Sequence, residues 1–319
     1  MALQFRKASY EPGVAGFGNG CFAYLQPDGG WGFSNAGLVT DGGEALLIDT
    51  MFDDAHTRAM LDGFARVSDA KIGTLVNTHH NGDHCYGNGC VGDCEIIATV
   101  GAAEAMKHET PKGLAQFMTA APGLGVTGEY LVHCFGDFDF ERCSVRAPDT
   151  TFTGRLSRMV GAKRVELIEV GPAHTGGDAL VHVPDDRTLF TGDILFIGGH
   201  PILWAGPVGN WIAACETIAA MDVETIVPGH GPVTDQRGVA RVKDYLVHVR
   251  DAARARYDAG LGALEAARSI ALDDFAGWGD AERIAVNTAT LYREFGAKDV
   301  PSDAATLFGW MAQLWKDKR

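Results

Sequence analysis

The run Thr78-His79-His80-Asn81-Gly82-Asp83-His84 constrains this chain more than any other stretch, because it gathers three imidazoles and a carboxylate within six residues. It follows Ile72-Gly73-Thr74-Leu75-Val76-Asn77, an apolar, β-branched run that reads as a buried strand. The cluster therefore falls where a strand ends, and in open α/β sheets that edge is where ligands bind. Imidazole nitrogens and carboxylate oxygens hold zinc-type cations, and several on one short loop lower the entropic cost of building a site. Taken alone, the run also reads as a polar loop or as a helix start capped by Asn81 or Asp83.

Three later segments repeat the arrangement. Val165 to Val170 leads into Gly171-Pro172-Ala173-His174-Thr175-Gly176-Gly177-Asp178, Arg187 to Thr191 leads into Gly192-Asp193, and Glu224 to Val227 leads into Pro228-Gly229-His230-Gly231. A strand followed by a glycine-bearing turn holds a side chain rigidly at a sheet edge.

These four motifs, in this order, resemble the metallo-β-lactamase-fold hydrolase superfamily, over roughly residues 20 to 235. The resemblance implies a first metal site from His79, the position of Asn81, and His174, and a second from Asp83, His84 and His230, with Asp193 bridging the two. An aspartate in the T-G-D motif is similar to the glyoxalase II, lactonase and phosphodiesterase branches; β-lactamases often carry cysteine there. Asp49, which ends Ala45-Leu46-Leu47-Ile48-Asp49, matches the aspartate that orients the histidine loop, and such outer carboxylates fix ring tautomers. Zn(2+) is the expected metal, as one or two ions, and the same donors accept iron or manganese.

The departure is Asn81, which stands where the superfamily has its second histidine. An amide oxygen is a weaker zinc ligand than imidazole, so the first site loses affinity while the second keeps its ligands. Three arrangements are open: Asn81 coordinates through its oxygen, the second site works alone, or His80 takes the vacant role. The same substitution argues against the superfamily's iron-dependent persulfide dioxygenases, which are expected to use the first-site histidines.

The strand and helix signals fit an α/β chain. Phe22 to Gln26, Gly32 to Thr40 and Ala45 to Thr50 read as strands joined by turns at Asp28-Gly29-Gly30 and Asp41-Gly42-Gly43. Asp54 to Val67 has apolar residues at helical spacing, residues 146–191 are strand-rich, and Trp211 to Met221 reads as a helix. Two sheets with helices outside give a four-layer αββα sandwich over residues 1–235. Residues 236–319 are expected to be a C-terminal helical extension packed on it. Between the halves, Pro111 to Gly128 is apolar yet rich in turn formers, and reads either as a lid or pocket wall or as an ordinary surface insertion.

Around Asp193 the chain is densely apolar, and Phe196, His200 and Trp204, with Trp31, are expected to line a pocket for a bulky apolar or aromatic substrate. Core packing is the competing explanation for the aromatic rings. His200 reads as a pocket acid, an oxyanion donor or a satisfied loop residue.

A net charge of −14 argues against a phosphate-backbone or anionic membrane partner. No apolar run reaches the ~18 residues of a membrane span. Residues 1–9 lack the apolar stretch of a signal peptide, which points to the cytoplasm. Seven cysteines fit reduced thiols better than a disulfide framework. Cys85, Cys90 and Cys94 lack a fourth ligand at zinc spacing and are expected to be buried structural residues. Partners are expected to be a small-molecule substrate and, as an open option, a second copy of the chain.

The chemistry that follows is metal-assisted hydrolysis of a carboxylic ester, lactone or thioester, in which a bound cation acidifies water and polarises the carbonyl. Asp83 is the expected proton carrier, as in the superfamily, with Asn81 or His80 available to stabilise an oxyanion. A non-hydrolytic cyclase or carbon–carbon lyase acting on a polyketide-like or aromatic carbonyl compound is the runner-up. A binding protein with a structural metal is a third reading.

Overall fold

The computed structural model describes residue 10, residues 12–26 and residues 28–317. Residues 1–9, which bore on the signal-peptide expectation, lie outside the described residues. The first sheet runs in the order β1 (Gly13–Gly16), β2 (Cys21–Leu25), β3 (Ala36–Asp41), β4 (Glu44–Ile48), β5 (Lys71–Val76), β6 (Glu95–Thr99) and β7 (Thr150–Phe152). Its first four strands pair antiparallel, and β4 to β7 pair parallel. The second sheet runs β12 (Thr225–Val227), β11 (Thr188–Phe190), β10 (Ala179–Val183), β9 (Lys163–Glu169) and β8 (Arg155–Val160).

Side-chain alternation along these strands separates three cores. Ala23, Val39, Leu46, Ile48 and Val76 of the first sheet meet Val165, Leu167, Val181, Phe190 and Val227 of the second. The opposite face of the first sheet, with Leu38, Leu47, Leu75 and Ile96, is covered by Met60 and Phe64 of α1 (Asp54–Ala65). The opposite face of the second, with Ile168, Leu180, Leu189 and Ile226, is covered by Trp211 and Ile218 of α6 (Val208–Ala219). The result is the four-layer αββα sandwich. Helices α7 (Gln236–Asp258), α8 (Ala263–Ser269), α9 (Ile284–Glu294) and α10 (Ala304–Asp317) bury Val242, Ala266, Ala289 and Met311 in the same outer core.

Two expectations change. The link between β2 and β3 is a long loop and not a tight turn at Asp28-Gly29-Gly30, and its end is held across to the other sheet by Asn35 N–H donating to the Gly229 carbonyl. The Gly42-Gly43 turn does close β3 onto β4 through the Asp41–Glu44 pair. Residues 111–128, read as a turn-prone lid or insertion, are largely helical: α4 (Pro111–Ala120) begins with proline at its tolerated first turn, and α5 (Val126–Phe135) follows Gly125 at φ +56°. The short helix α3 (Val100–Ala105) precedes them. No helix among the described residues is long and apolar enough to cross a membrane.

Candidate metal centre

Each donor-bearing segment leaves the C-terminal end of a strand. Asp49 follows β4, His79 to His84 follow β5, His174 follows β9, Asp193 follows β11 and His230 follows β12. Backbone bonds cross between the sheets at this edge: Ala179 N–H donates to the Thr78 carbonyl at 2.8 Å, and Asn35 N–H donates to the Gly229 carbonyl at 2.7 Å. The glycines in the T-G-D and P-G-H motifs are sterically required. A Cβ at Gly229 would lie 1.9 Å from Oδ1 of Asp193, and one at Gly192 would lie 2.4 Å from Oγ1 of Thr78.

Asp49 is the anchor of the histidine loop. Its buried carboxylate accepts from Thr78 N–H and Thr78 Oγ1 at 2.7 Å each and from Nδ1 of His84 at 2.9 Å. Having given its proton to Asp49, Thr78 Oγ1 accepts from Nδ1 of His79 at 3.0 Å, and Nδ1 of His174 donates to the Ile202 carbonyl at 2.7 Å. Three rings are thus locked with Nε2 carrying a lone pair. His230 is oriented differently, by flat stacking on Phe196 at 5.0 Å and 2°.

These rings converge on Asp193. Its carboxylate oxygens lie 3.1 Å from Nε2 of His84, 3.4 Å from those of His174 and His230, and 3.8 Å from that of His79. Asp83 reaches within 3.3 Å of His230 and 3.9 Å of His84. Two triads are compact enough to hold an ion: His79, His84 and Asp193, and Asp83, His84 and His230. Nε2 of His79, Nε2 of His84 and Oδ1 of Asp193 are buried without a hydrogen-bond partner. Acceptors facing acceptors in a buried site are costly unless a cation or protons lie between them, so this donor set fits a divalent metal.

The electrostatics differ between the two sides. Burial, then the neighbouring His84 charge, pushes His79 well below the usual histidine range, and burial also lowers His174. Burial opposes charge on His84 and His230 too, but the Asp193 and Asp83 carboxylates outweigh it, raising His84 strongly and His230 to about 9. Burial likewise opposes ionisation of Asp193, yet the surrounding imidazoles hold it well below the carboxylate range. The Asp83 side is therefore the more cation-attracting half.

The Asn81 side chain lies against the first-site ring, with Oδ1 2.9 Å from Nε2 of His174. Two lone pairs cannot share that distance unsupported; a cation resolves it, or a rotated amide that presents its NH2. His80 is turned away from the first-site rings. Its Nε2 pairs with Glu109 at 3.0 Å, because adjacent loop residues point apart. Cys85 donates to the His80 carbonyl at 3.1 Å, and neither triad includes a cysteine.

A cavity of about 600 Å3 adjoins this edge, and Trp31 and Phe196 are among the residues that line it. His200 and Trp204 are not. His200 is fully buried between the Tyr245 and Trp278 rings, and Trp204 packs on Trp31 and Phe308. Two structural partners went unnoticed in the sequence. Asn35 donates through Nδ2 to the carbonyls of Pro228 and Gly231, clamping the His230 turn. Arg283 is fully buried, with its guanidinium 4.4 Å from the Trp31 ring and 5.3 Å from the Phe196 ring. Neither carries a motif; a lone arginine in a helical tail reads as a solvated residue.

The family profile of the metallo-beta-lactamase superfamily matches residues 29–230. The chain is 24% identical over 231 residues to a linear primary-alkylsulfatase of Pseudomonas sp., covering 65% of this chain and 43% of that protein. It is 27% identical over 157 residues to the hydroxyacylglutathione hydrolase of Methylococcus capsulatus, covering 49% of this chain and 47% of that protein. The matches thus span about half the length of these relatives. The crystal structure of a stereoselective inverting sec-alkylsulfatase from Pseudomonas sp. superposes with a TM-score of 0.64 at 16% identity, over 89% of this chain and 50% of that one.

Proposed function

Because this chain belongs to the metallo-beta-lactamase superfamily, we propose that it is a metal-dependent hydrolase of a carboxylic ester, lactone or thioester, acting on a bulky apolar or aromatic small molecule. The observation that carries the reading is the convergence of four imidazole Nε2 atoms on Asp193, with the lone pairs of His79 and His84 left without donors. Similarity to a thioester hydrolase and to a sulfate-ester hydrolase supports hydrolysis as the reaction class. Zinc is the proposed metal, with iron and manganese as alternatives for the same N/O donors.

His79, Asp83, His84, His174, Asp193 and His230 would hold the metal, which when bound acidifies water and polarises the scissile group. The Asp83 side chain keeps 13% exposure where His84 and His230 are buried, so its carboxylate can take the proton of the attacking water and return it to the leaving group. The Asn81 NH2 is a donor suited to a developing oxyanion. Asp49 keeps the His84 ring, and through Thr78 the His79 ring, in the tautomer that presents Nε2. A cytoplasmic setting fits the unpaired thiols.

Element analysis of the purified protein, combined with turnover on a panel of aryl esters, lactones, thioesters and alkyl sulfates, tests this reading. The expected result is at least one equivalent of metal and turnover on a carboxylic substrate, both lost in Asp193→Ala. Metal-free protein from metal-replete growth, or unchanged turnover in that variant, overturns it. Turnover confined to the sulfates moves the substrate class. Product that gains no label from labelled water favours the cyclase or lyase reading.

A further inference from the structure

The 600 Å3 cavity lies within the ~300–1,000 Å3 range of small-molecule sites. Its walls come from the loop before β3, α5, the segment after Asp193, the turn after His230, α7, and the link between α8 and α9. The loop before β3 and the segments after Asp193 and His230 are continuous with the metal edge; the walls after His230 lie beyond the residues matched by the family profile. None of the six metal donors lines it. Phe196 is the partition, lining the cavity while its ring stacks on His230.

The lining chemistry is specific. Trp31, Phe33, Phe196 and Trp278 contribute aromatic surface, and Gly199 and Gly277 leave flat backbone. Three charged groups stand at its rim: Asp28 accepts from Gly30 N–H at 2.9 Å, Asp280 pairs with Arg283 at 3.1 Å, and Arg241 lies 4.6 Å over the Phe275 ring. Inside the rim a ligand meets mainly aromatic ring and peptide surface.

We propose that this cavity binds a planar, uncharged aromatic ring system, the non-reacting body of the substrate, beside the metal edge. The assignment of that body to a substrate rests on the hydrolase reading; the binding itself does not. Remote binding of this kind positions the reacting group. The glycine wall supplies the test. Both glycines line the cavity, and a Cβ at Gly277 meets nothing within 4 Å while one at Gly199 meets only Oδ2 of Asp280 at 3.9 Å, so larger side chains are accommodated at the cavity wall without a steric clash.

The experiment is equilibrium dialysis of 2-naphthol against the metal-loaded protein, with n-decanol, of equal carbon number, as competitor. One equivalent of 2-naphthol is expected to bind, n-decanol to compete at least tenfold more weakly, and Gly277→Phe to weaken 2-naphthol at least tenfold with metal content and circular dichroism unchanged. Gly199→Val gives the same readout should Gly277→Phe fail to fold. No binding of 2-naphthol, equal competition by n-decanol, or unchanged affinity in a folded glycine variant overturns the proposal. Failure of the hydrolase reading is distinct, since it appears as missing metal or turnover while 2-naphthol still binds.

Discussion

The carboxamide of Asn81 sits 2.9 Å from Nε2 of His174, and that single contact separates the two halves of the donor cluster. On the other side, His84 and His230 face two carboxylates, Asp83 and Asp193. An ion beside His174 meets a neutral amide, whereas an ion beside His230 meets an additional negative charge.

Asn81→His is therefore expected to tighten the weaker of two metal equivalents on the order of 10–100-fold, the scale of perturbations close to metal ligands. The tighter equivalent should not change. Calorimetric titration of the stripped protein with zinc reads both. A single equivalent with unchanged affinity in the variant would show that the His79 and His174 side binds no metal. A fall in rate alongside tighter metal would assign Asn81 a role of its own.

Asp49→Asn preserves shape but removes the charge that three donors share. Asn also tolerates the left-handed backbone here, φ +62°. Metal affinity is expected to fall about 10–100-fold as the His84 ring loses its fixed tautomer. Retained affinity would mean that packing alone orients the ring.

Ser144 and Asp54 give a pH prediction independent of metal. Burial raises the Asp54 carboxyl, but donation by Ser144 Oγ and N–H, at 2.6 Å each, brings it below the ordinary aspartate value. A depressed carboxylate stabilises the fold above its unfolded pKa of ~3.9 and loses that contribution as pH falls through the lower folded value. Ser144→Ala should cost about 1–3 kcal/mol at pH 7 and progressively less below pH ~4. Urea unfolding across that range checks the convergence; a pH-independent difference would point to packing.

Arg283→Lys is expected to destabilise by about 2–4 kcal/mol despite the conserved charge. The guanidinium donates to the His200 carbonyl at 3.0 Å and pairs with Asp280 while facing Trp31 and Phe196. An ammonium cannot make that planar set of contacts. Thermal unfolding followed by circular dichroism measures the loss. Wild-type stability in the variant would show the plane to be dispensable.

The fold class and the positions of the donor residues were legible in the sequence because both rest on local pattern. An apolar strand followed by a glycine turn and a histidine or aspartate places that side chain at a strand end whatever the rest of the chain does, as His79, His174, Asp193 and His230 illustrate. The helical period likewise marked α1 and α6 within a few residues. What tertiary structure alone decided is which side chain each donor meets. His80 and Asn81 are neighbours in sequence, yet the His80 ring meets Glu109 while Asn81 Oδ1 reaches the His174 ring. Trp31, Phe196, Trp278 and Arg283 come from three distant segments, and only their packing makes a cavity beside the metal edge. Backbone direction is set by residues a few positions apart, whereas side-chain contacts form between surfaces brought together by folding.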